Sequence, residues 1–123
     1  MIHSETKLLL ADNSGARLVK CIRILNKPVG LLGDLITVTL RRFSKLKKLI
    51  KGKKYMGLLL NVKKPKYRKN GYRLSFSKNR ILLFAENDKF LGTRVYGPSI
   101  RELKTKLLIN RFRRIISHAQ RVL

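Results

Sequence analysis

Apolar and polar positions alternate along much of the first 98 residues, with the period of two that half-buried β-strands show. The alternation is clearest over residues 36–40, where Ile36, Val38 and Leu40 would face inward and the intervening threonines outward. Runs rich in apolar and β-branched residues predict further strands at residues 7–11, 17–25, 55–63 and 81–85. In the strand at 55–63, one face would consist of Met56, Leu58, Leu60 and Val62.

Residue types that favour turns separate these strands. Asp-Asn-Ser-Gly at 12–15 predicts a turn, residues 26–30 predict a loop, and Asn87-Asp88 predicts a turn after the last strand. Residues 41–54 combine some helical spacing with a glycine and several lysines, and they are predicted to form a loop. Pro65 ends the strand predicted at 55–63. Asn70-Gly71 then lies between Tyr67 and the alternating Tyr72, Leu74 and Phe76, and this pattern indicates a β-hairpin. The hairpin should project as a basic ribbon, because its arms carry Lys63, Lys64, Lys66, Arg68, Lys69 and Arg73.

The pattern changes after Pro98. Ser-Ile-Arg-Glu at 99–102 matches a capping box, in which the serine and glutamate side chains bind free amide groups at the start of a helix. Apolar residues then follow at helical spacing as far as Ala119 and predict two short C-terminal helices. Strands followed by helices, without an internal repeat or a linker, predict a single domain over 1–123, mainly β, with a barrel or sandwich over 1–98 and helices over 99–123.

Charge indicates the class of partner. The 123 residues include 30 Lys+Arg and 6 Asp+Glu, a formal net charge of +24. A compact domain with so much like charge repels itself, so a dense polyanion is the expected partner. Hydrophobic residues make up 44% of the chain, which argues against a disordered basic tail. These numbers predict a folded, strongly basic binding module.

The cations are concentrated in two stretches without any acid. Residues 35–85 contain 16 of the 30 cations, and residues 103–123 contain six more. Within both stretches the cations alternate with apolar and aromatic residues, which favours an ordered surface that follows phosphates over a disordered tail.

Catalysis, metal binding and membrane insertion find no support in the sequence. Cys21 is the single cysteine and lies in a predicted strand, as expected for a small buried hydrophobe. His3 and His118 are the two histidines, too few for a zinc site with one cysteine, and no metal or cofactor is expected. No apolar run reaches the length of a membrane helix. We therefore predict that the chain is not an enzyme and binds no membrane.

Several motifs resemble one known family. They are Ala-Asp-Asn-Ser-Gly-Ala at 11–16, Cys-Ile-Arg at 21–23, Gly-Asp at 33–34, Gly-Thr-Arg-Val-Tyr-Gly-Pro at 92–98 and Arg-Glu-Leu at 101–103. In that order, they resemble the large-subunit ribosomal protein of the universal L-fourteen family over essentially the whole chain. The resemblance implies a small closed five-stranded β-barrel with a projecting β-hairpin ribbon and short C-terminal helices.

The resemblance also implies partners. It places the chain on the intersubunit face of the large ribosomal subunit, where it would bind large-subunit rRNA and help form bridges to small-subunit rRNA. The implied protein partners are neighbouring ribosomal proteins of the L-three and L-nineteen families and a ribosome-silencing factor. DNA is not an expected partner. The residues that match the silencing-factor surface are Thr93, Arg94, Arg114 and Ser117.

Candidate RNA contacts come from the turn and from the first acid-free stretch. Asn13, Ser14 and Arg17 can donate to phosphate or sugar oxygens, and Asp12 or Asn13 can also cap the turn itself. We expect both roles to hold, with the turn geometry mattering more for folding. Cations of the stretch would neutralise phosphates, and the candidates are Arg41, Arg42, Lys51, Lys53, Lys54, Lys64, Lys66, Arg68, Lys69 and Arg73. Three tyrosines could stack on unpaired bases or pack within the fold, Tyr55, Tyr67 and Tyr72.

Composition bears on location and on competing functions. Enrichment in Lys, Ile, Leu and Asn without tryptophan is typical of an AT-rich genome, and the first residues show no presequence. We therefore predict a protein of the mitochondrial matrix, in the mitochondrial large ribosomal subunit, with bacterial cytoplasm or plastid as alternatives. A general single-strand binder is the main competing function, but it needs a platform of surface aromatics, and only 7% of the chain is aromatic.

Overall fold

The computed structural model describes residues 2–45, 49–85, 89–103 and 119–123, and within them nine strands. They are β1 (Lys7–Leu10), β2 (Ala16–Ile24), β3 (Leu35–Phe43), β4 (Lys54–Asn61), β5 (Lys66–Tyr67), β6 (Arg73–Leu74), β7 (Arg80–Phe84), β8 (Pro98–Ser99) and β9 (Arg121–Val122). Five of them close into a barrel in the order β1-β2-β3-β4-β7. The predicted mainly β fold with a closed five-stranded barrel is therefore confirmed.

Closure of the barrel depends on one parallel pair. Neighbouring strands are antiparallel from β1 to β4 and from β4 to β7. The final contact, between β1 and β7, is parallel and pairs Leu9 with Arg80 and Leu10 with Ile81. Because closure leaves no strand edge unpaired, the barrel is protected against pairing with other chains.

The core fills the barrel and also covers part of its outside. Ile36, Val38 and Leu40 are buried as the alternation predicts, and Cys21 is a buried hydrophobe, whose thiol pKa is raised by burial. In β4, however, Leu59 is fully buried together with its neighbours on the other face. A strand covered on both faces carries a nearly continuous apolar run, which explains the weak alternation of this segment.

Strand β3 is longer than predicted. Arg41, Arg42 and Phe43 were predicted to begin a loop, and that prediction is wrong, because β3 continues to Phe43. Phe43 pairs with Ala16, and Arg42 pairs with Leu18, across register shifts in the β2–β3 ladder. Pairing with β2 extends the strand where local residue types alone favour a loop.

The predicted hairpin is present. Strands β5 and β6 pair Lys66 with Leu74 and Tyr67 with Arg73. In the loop, the Arg68 amide donates to the Tyr72 carbonyl and the Gly71 amide donates to the Arg68 carbonyl. Gly71 has a φ of 89°, which a residue with a side chain rarely adopts, so this glycine is what the loop requires.

The capping box predicted at Ser99 is wrong. Ser99 lies in β8, which pairs in parallel with β9 through Pro98–Arg121 and Ser99–Val122. Its hydroxyl is buried and has no hydrogen-bond partner in the described part of the chain. Residues 121–122, which the helical prediction over 99–123 included, are thus strand. The predicted helices fall mainly on residues 104–118, which lie outside the described residues, as does the turn predicted at Asn87-Asp88.

Candidate nucleic-acid interface

The turn at residues 12–15 is organised by a buried carboxylate. Asp12 is only 7% exposed. Its Oδ1 accepts hydrogen bonds from the Ser14 amide at 3.2 Å and the Ser14 hydroxyl at 2.6 Å. Its Oδ2 accepts from the Leu83 amide of β7 at 3.0 Å. Burial raises the pKa of Asp12, and these three hydrogen bonds oppose that rise. Asp12 therefore ties the turn to the strand that closes the barrel.

The same turn positions a distant surface segment. Asn13 Oδ1 accepts from the Thr93 amide at 2.8 Å and the Arg94 amide at 3.1 Å, and Asn13 Nδ2 donates to the Thr93 hydroxyl at 2.9 Å. Gly92 allows this approach, because a Cβ there would lie 2.9 Å from Asn13 Oδ1 and 3.0 Å from the Asp12 Cβ. The family motifs at 11–16 and 92–98 thus form one structural unit, with Thr93 and Arg94 exposed on it.

The predicted RNA contacts of this turn acquire another role. The Asn13 oxygen is occupied by Thr93 and Arg94, and the Ser14 hydroxyl is buried and donates to Asp12. Of the two roles that the sequence predicts for these residues, the structure shows the one that holds the turn, and the contact with RNA stays a prediction. Arg17, which follows the turn on β2, is exposed, and its side chain forms no ion pair among the residues that the structure describes.

A first group of cations lies where β3 ends and β4 begins. Pairing of Leu18 with Arg42 and of Thr39 with Lys54 brings the start of β2 and the start of β4 to the same end of the barrel. We call this group the barrel-end cluster: Arg17, Arg41, Arg42, Lys51, Lys53 and Lys54. All of these side chains are exposed except Lys53, which is half-buried and holds its ammonium 5.8 Å from the centre of the Tyr55 ring.

Tyr55 is not available to a base. The ring is buried, and its hydroxyl accepts a hydrogen bond from the Ile50 amide at 3.1 Å. The sequence left stacking on a base and packing within the fold open for Tyr55, and the structure supports packing.

A second group of cations lies at the other end of β4. The ribbon joins the end of β4 to the start of β7, and we call its predicted cations the ribbon cluster: Lys64, Lys66, Arg68, Lys69 and Arg73. Strand β4 runs over eight residues from Lys54 to Asn61, so the two clusters are separated by roughly 23 Å along it at about 3.3 Å per residue. Lys64, Lys69 and Arg73 are exposed, whereas Lys66 and Arg68 are half-buried.

Arg68 departs from the predicted role. Its Nε and one terminal nitrogen donate to the two carboxylate oxygens of Glu102 at 2.6 and 3.1 Å, and the same terminal nitrogen donates to the main-chain oxygen of Leu123 at 2.7 Å. A forked pair of this kind is among the stronger ion pairs. Arg68 is therefore a clamp that fixes the ribbon to the C-terminal segment, and its guanidinium is already neutralised by an acid.

The clamp predicts a dependence of stability on pH. The hydrogen bond from Arg68 holds the pKa of Glu102 below its ordinary value of 4.5. A carboxyl with a lowered pKa stabilises the fold fully above its unfolded pKa, and this stabilisation is lost as the pH falls through the folded pKa. We expect Glu102→Gln to lower the free energy of unfolding by about 1 kcal/mol at pH 7, where the pair is partly screened by solvent.

Denaturant titrations at several pH values measure this effect. The difference between the parent chain and Glu102→Gln should shrink below pH 4.5. Glu5→Gln is the control, because Glu5 is exposed and pairs loosely with Lys20 at 3.7 Å. A difference for Glu102→Gln that stays constant from pH 3 to pH 7 would contradict the clamp.

Other chemistries are not supported by the described residues. They contain no group of three or more His, Cys, Asp or Glu side chains that could hold a metal ion. No helix among them is long and apolar enough to cross a membrane. One surface pocket is lined by residues of β3 and β4 and by the end of β7, and this lining contains no carboxylate, histidine or cysteine: Thr37, Lys54, Tyr55, Met56, Phe84 and Ala85.

Two functional residues escaped the sequence reasoning. Glu102 was assigned to a helix cap, and Asn13 was assigned to its own turn and to RNA but not to the distant segment at Thr93. The position of Glu102 as the single acid in residues 89–123 was a usable signal, because a lone carboxylate in a basic segment finds a cation close by. The link from Asn13 to Thr93 spans 80 positions and has no local signature. Arg114 and Ser117, also predicted for the partner surface, lie outside the described residues.

Comparison with known families gives an independent result. The family described as ribosomal protein L14p/L23e matches residues 1–123, the full length of the chain.

Proposed function

The chain belongs to the ribosomal protein L14p/L23e family and is a structural protein of the large ribosomal subunit, and from this premise we propose that it binds large-subunit rRNA through its two basic clusters. The observation that carries the proposal is their placement at opposite ends of one barrel strand. Each can neutralise phosphates of a different RNA segment, with the barrel fixing the distance between them.

The distribution of charge supports this function at both ends of β4. No acid occurs anywhere in residues 35–85, which contain every member of the two clusters except Arg17. Among the residues that the structure describes, Glu102 is the acid that reaches the ribbon cluster; it binds Arg68 and leaves exposed cations on the remainder of the ribbon. Exposed lysines and arginines without nearby carboxylates attract phosphates and release counterions when they bind.

The barrel favours recognition of the RNA by its folded shape. Strand β4 is buried on both faces and hydrogen-bonded on both sides, so its two ends keep a constant separation. A protein that presents cations at a fixed spacing selects folded RNA whose phosphates match that spacing, with no need to read a base sequence.

Finer assignments extend the same proposal. The exposed Thr93–Arg94 segment, held by Asn13, is suited to a protein or RNA partner at the intersubunit face. The motif resemblance supports bridges to small-subunit rRNA, neighbours of the L-three and L-nineteen families and a silencing factor at this segment. Composition supports a mitochondrial ribosome over a bacterial or plastid one.

Gradient fractionation with RNA binding tests the proposal. The chain should co-sediment with large ribosomal subunits and should bind their rRNA with an affinity that falls about 10³- to 10⁵-fold between 50 and 200 mM salt if it makes about 6–10 phosphate contacts. A chain found only at the top of the gradient, or RNA binding that does not change with salt, would overturn it.

A further inference from the structure

Two tyrosines on the ribbon are far more exposed than large aromatic rings usually are. Tyr67 on β5 and Tyr72 beside β6 are each 71% exposed, whereas Tyr55 is buried. In the described part of the chain, neither ring contacts another aromatic ring. Leaving such rings in water forgoes the stabilisation that burying them would supply, so they are candidates for contact with a partner.

The two faces of the ribbon differ in whether a carboxylate lies beside their cations. Side chains alternate between the faces of a strand, and directly paired residues share one face. Lys66 pairs with Leu74, and Arg68 binds Glu102 from the same face. Leu74 packs against the core, and the positive charge of Lys66 helps to lower the pKa of Glu102. This is the inner face, where the cations have an acid beside them.

Tyr67 and Arg73 occupy the outer face. They form the other directly paired position of the ribbon, and both side chains are exposed. No ion pair of Arg73 occurs among the described residues. Tyr72 lies opposite Arg68, whose amide donates to the Tyr72 carbonyl, and the alternation of side chains assigns it to the face of Arg68. An aromatic ring and an unpaired guanidinium thus stand side by side only on the outer face of the ribbon that the structure describes.

We propose that Tyr67 and Arg73 hold one unpaired nucleotide of rRNA, with the Tyr67 ring stacked on the base and the Arg73 guanidinium bound to an adjoining phosphate. The proposal rests on the rRNA binding argued above and adds a distinct mode of contact. An RNA partner is favoured over a protein because the surrounding cations, Lys64 and Lys69, are exposed and would repel a basic ribosomal protein. Every base has a face that can stack, so this contact selects unpaired RNA without a sequence code.

Two RNA probes separate stacking from charge. One is an RNA hairpin with 2-aminopurine in an unpaired loop, and the other is a fully paired RNA duplex of the same length. We expect Tyr67→Ala to weaken binding of the loop RNA by about 5- to 150-fold, the loss of one stacked base. Binding of the duplex and the salt slope for both RNAs should stay unchanged, because no phosphate contact is removed. The quenching of 2-aminopurine fluorescence by the parent chain should disappear in the variant.

Matched variants complete the test. Tyr67→Phe should retain the quenching, since the ring remains. Tyr72→Ala removes an equally exposed ring from the inner face and should leave the loop affinity unchanged. Equal losses for Tyr67→Ala and Tyr72→Ala, or an equal loss for loop and duplex, would overturn the outer-face platform. Unchanged loop binding by Tyr67→Ala, with a steep salt slope retained, would also overturn it and leave the proposed rRNA binding standing. Failure of the parent chain to bind the loop RNA would overturn the platform, whereas the proposed rRNA binding would be overturned by failure to bind large-subunit rRNA itself.

Discussion

Replacing Asp12 by alanine should lower the free energy of unfolding by about 2–4 kcal/mol, the largest stability effect we expect from a single polar substitution in this chain. The carboxylate satisfies the Ser14 amide and hydroxyl and the Leu83 amide, all at buried or nearly buried positions. Alanine leaves these donors without an acceptor next to the strand that closes the barrel. Chemical denaturation monitored by circular dichroism measures the change.

Asp12→Asn is the matched control. The amide keeps one oxygen acceptor and nearly the same shape, so its cost should be clearly smaller than that of alanine. Burial raises the pKa of Asp12, so its ionisation weakens the fold as the pH rises from below the unfolded pKa through the folded pKa. The asparagine variant should lose this component of the pH profile. Equal stability of Asp12→Ala and the parent chain would show that the turn is not anchored to β7.

Removal of four cations from the barrel-end cluster should have the largest effect on RNA binding. The variant carries Arg41→Ser, Arg42→Ser, Lys51→Ser and Lys54→Ser, all at exposed positions. Each lost phosphate contact flattens the dependence of log affinity on log salt by roughly 0.7–0.9, so the slope should become shallower by about 3. Filter binding to large-subunit rRNA over a series of salt concentrations measures the slope.

A charge-matched variant shows whether position matters. Lys7→Ser, Arg23→Ser, Arg101→Ser and Arg121→Ser also remove four exposed cations, but from outside the acid-free stretch at 35–85. If the barrel-end cluster is the binding surface, this control should change the salt slope by less than the roughly 0.7–0.9 expected for one lost phosphate contact. Equal flattening by the two variants would mean that net charge alone drives the binding, and the assignment of the cluster would be wrong.

Local patterns predicted the parts of the fold that local chemistry determines. Residues 36–40 alternate because one face of β3 fills the barrel, so Ile36, Val38 and Leu40 could be assigned to the core from the sequence. The hairpin at Asn70-Gly71 could be assigned because a positive φ at that loop position demands glycine. Both features depend on residues within a few positions of each other.

The errors occurred where distant residues decide the structure. Arg41–Phe43 has the composition of a loop, yet pairing with the start of β2 makes it strand. Ser99 has the spacing of a helix cap, yet pairing with residue 122 makes it strand. In both cases the hydrogen-bonding partner lies more than 20 positions away, and local propensity is weaker than the ladder that forms.

The sequence predicted the cations of the candidate site but not the ion pairs that they form. The acid-free stretch identified the cations, and most of those in the described residues are exposed. Arg68 looked no different from Arg73 in the sequence, yet one binds Glu102 and the other faces outward. The difference follows from which face of the ribbon each occupies relative to a segment that is 34 residues away.

By itself, the sequence determined a basic, mainly β chain with most strands of its barrel and its hairpin, because burial, turn geometry and net charge depend on residue type and short spacing. Its motifs also indicated the family to which the chain belongs. Only the tertiary structure decided that Asn13 binds Thr93 and that Arg68 forms an ion pair with Glu102. It also decided that the two basic clusters lie at opposite ends of β4. Those facts arise from closing the barrel, which brings together residues whose separation along the chain carries no local signal.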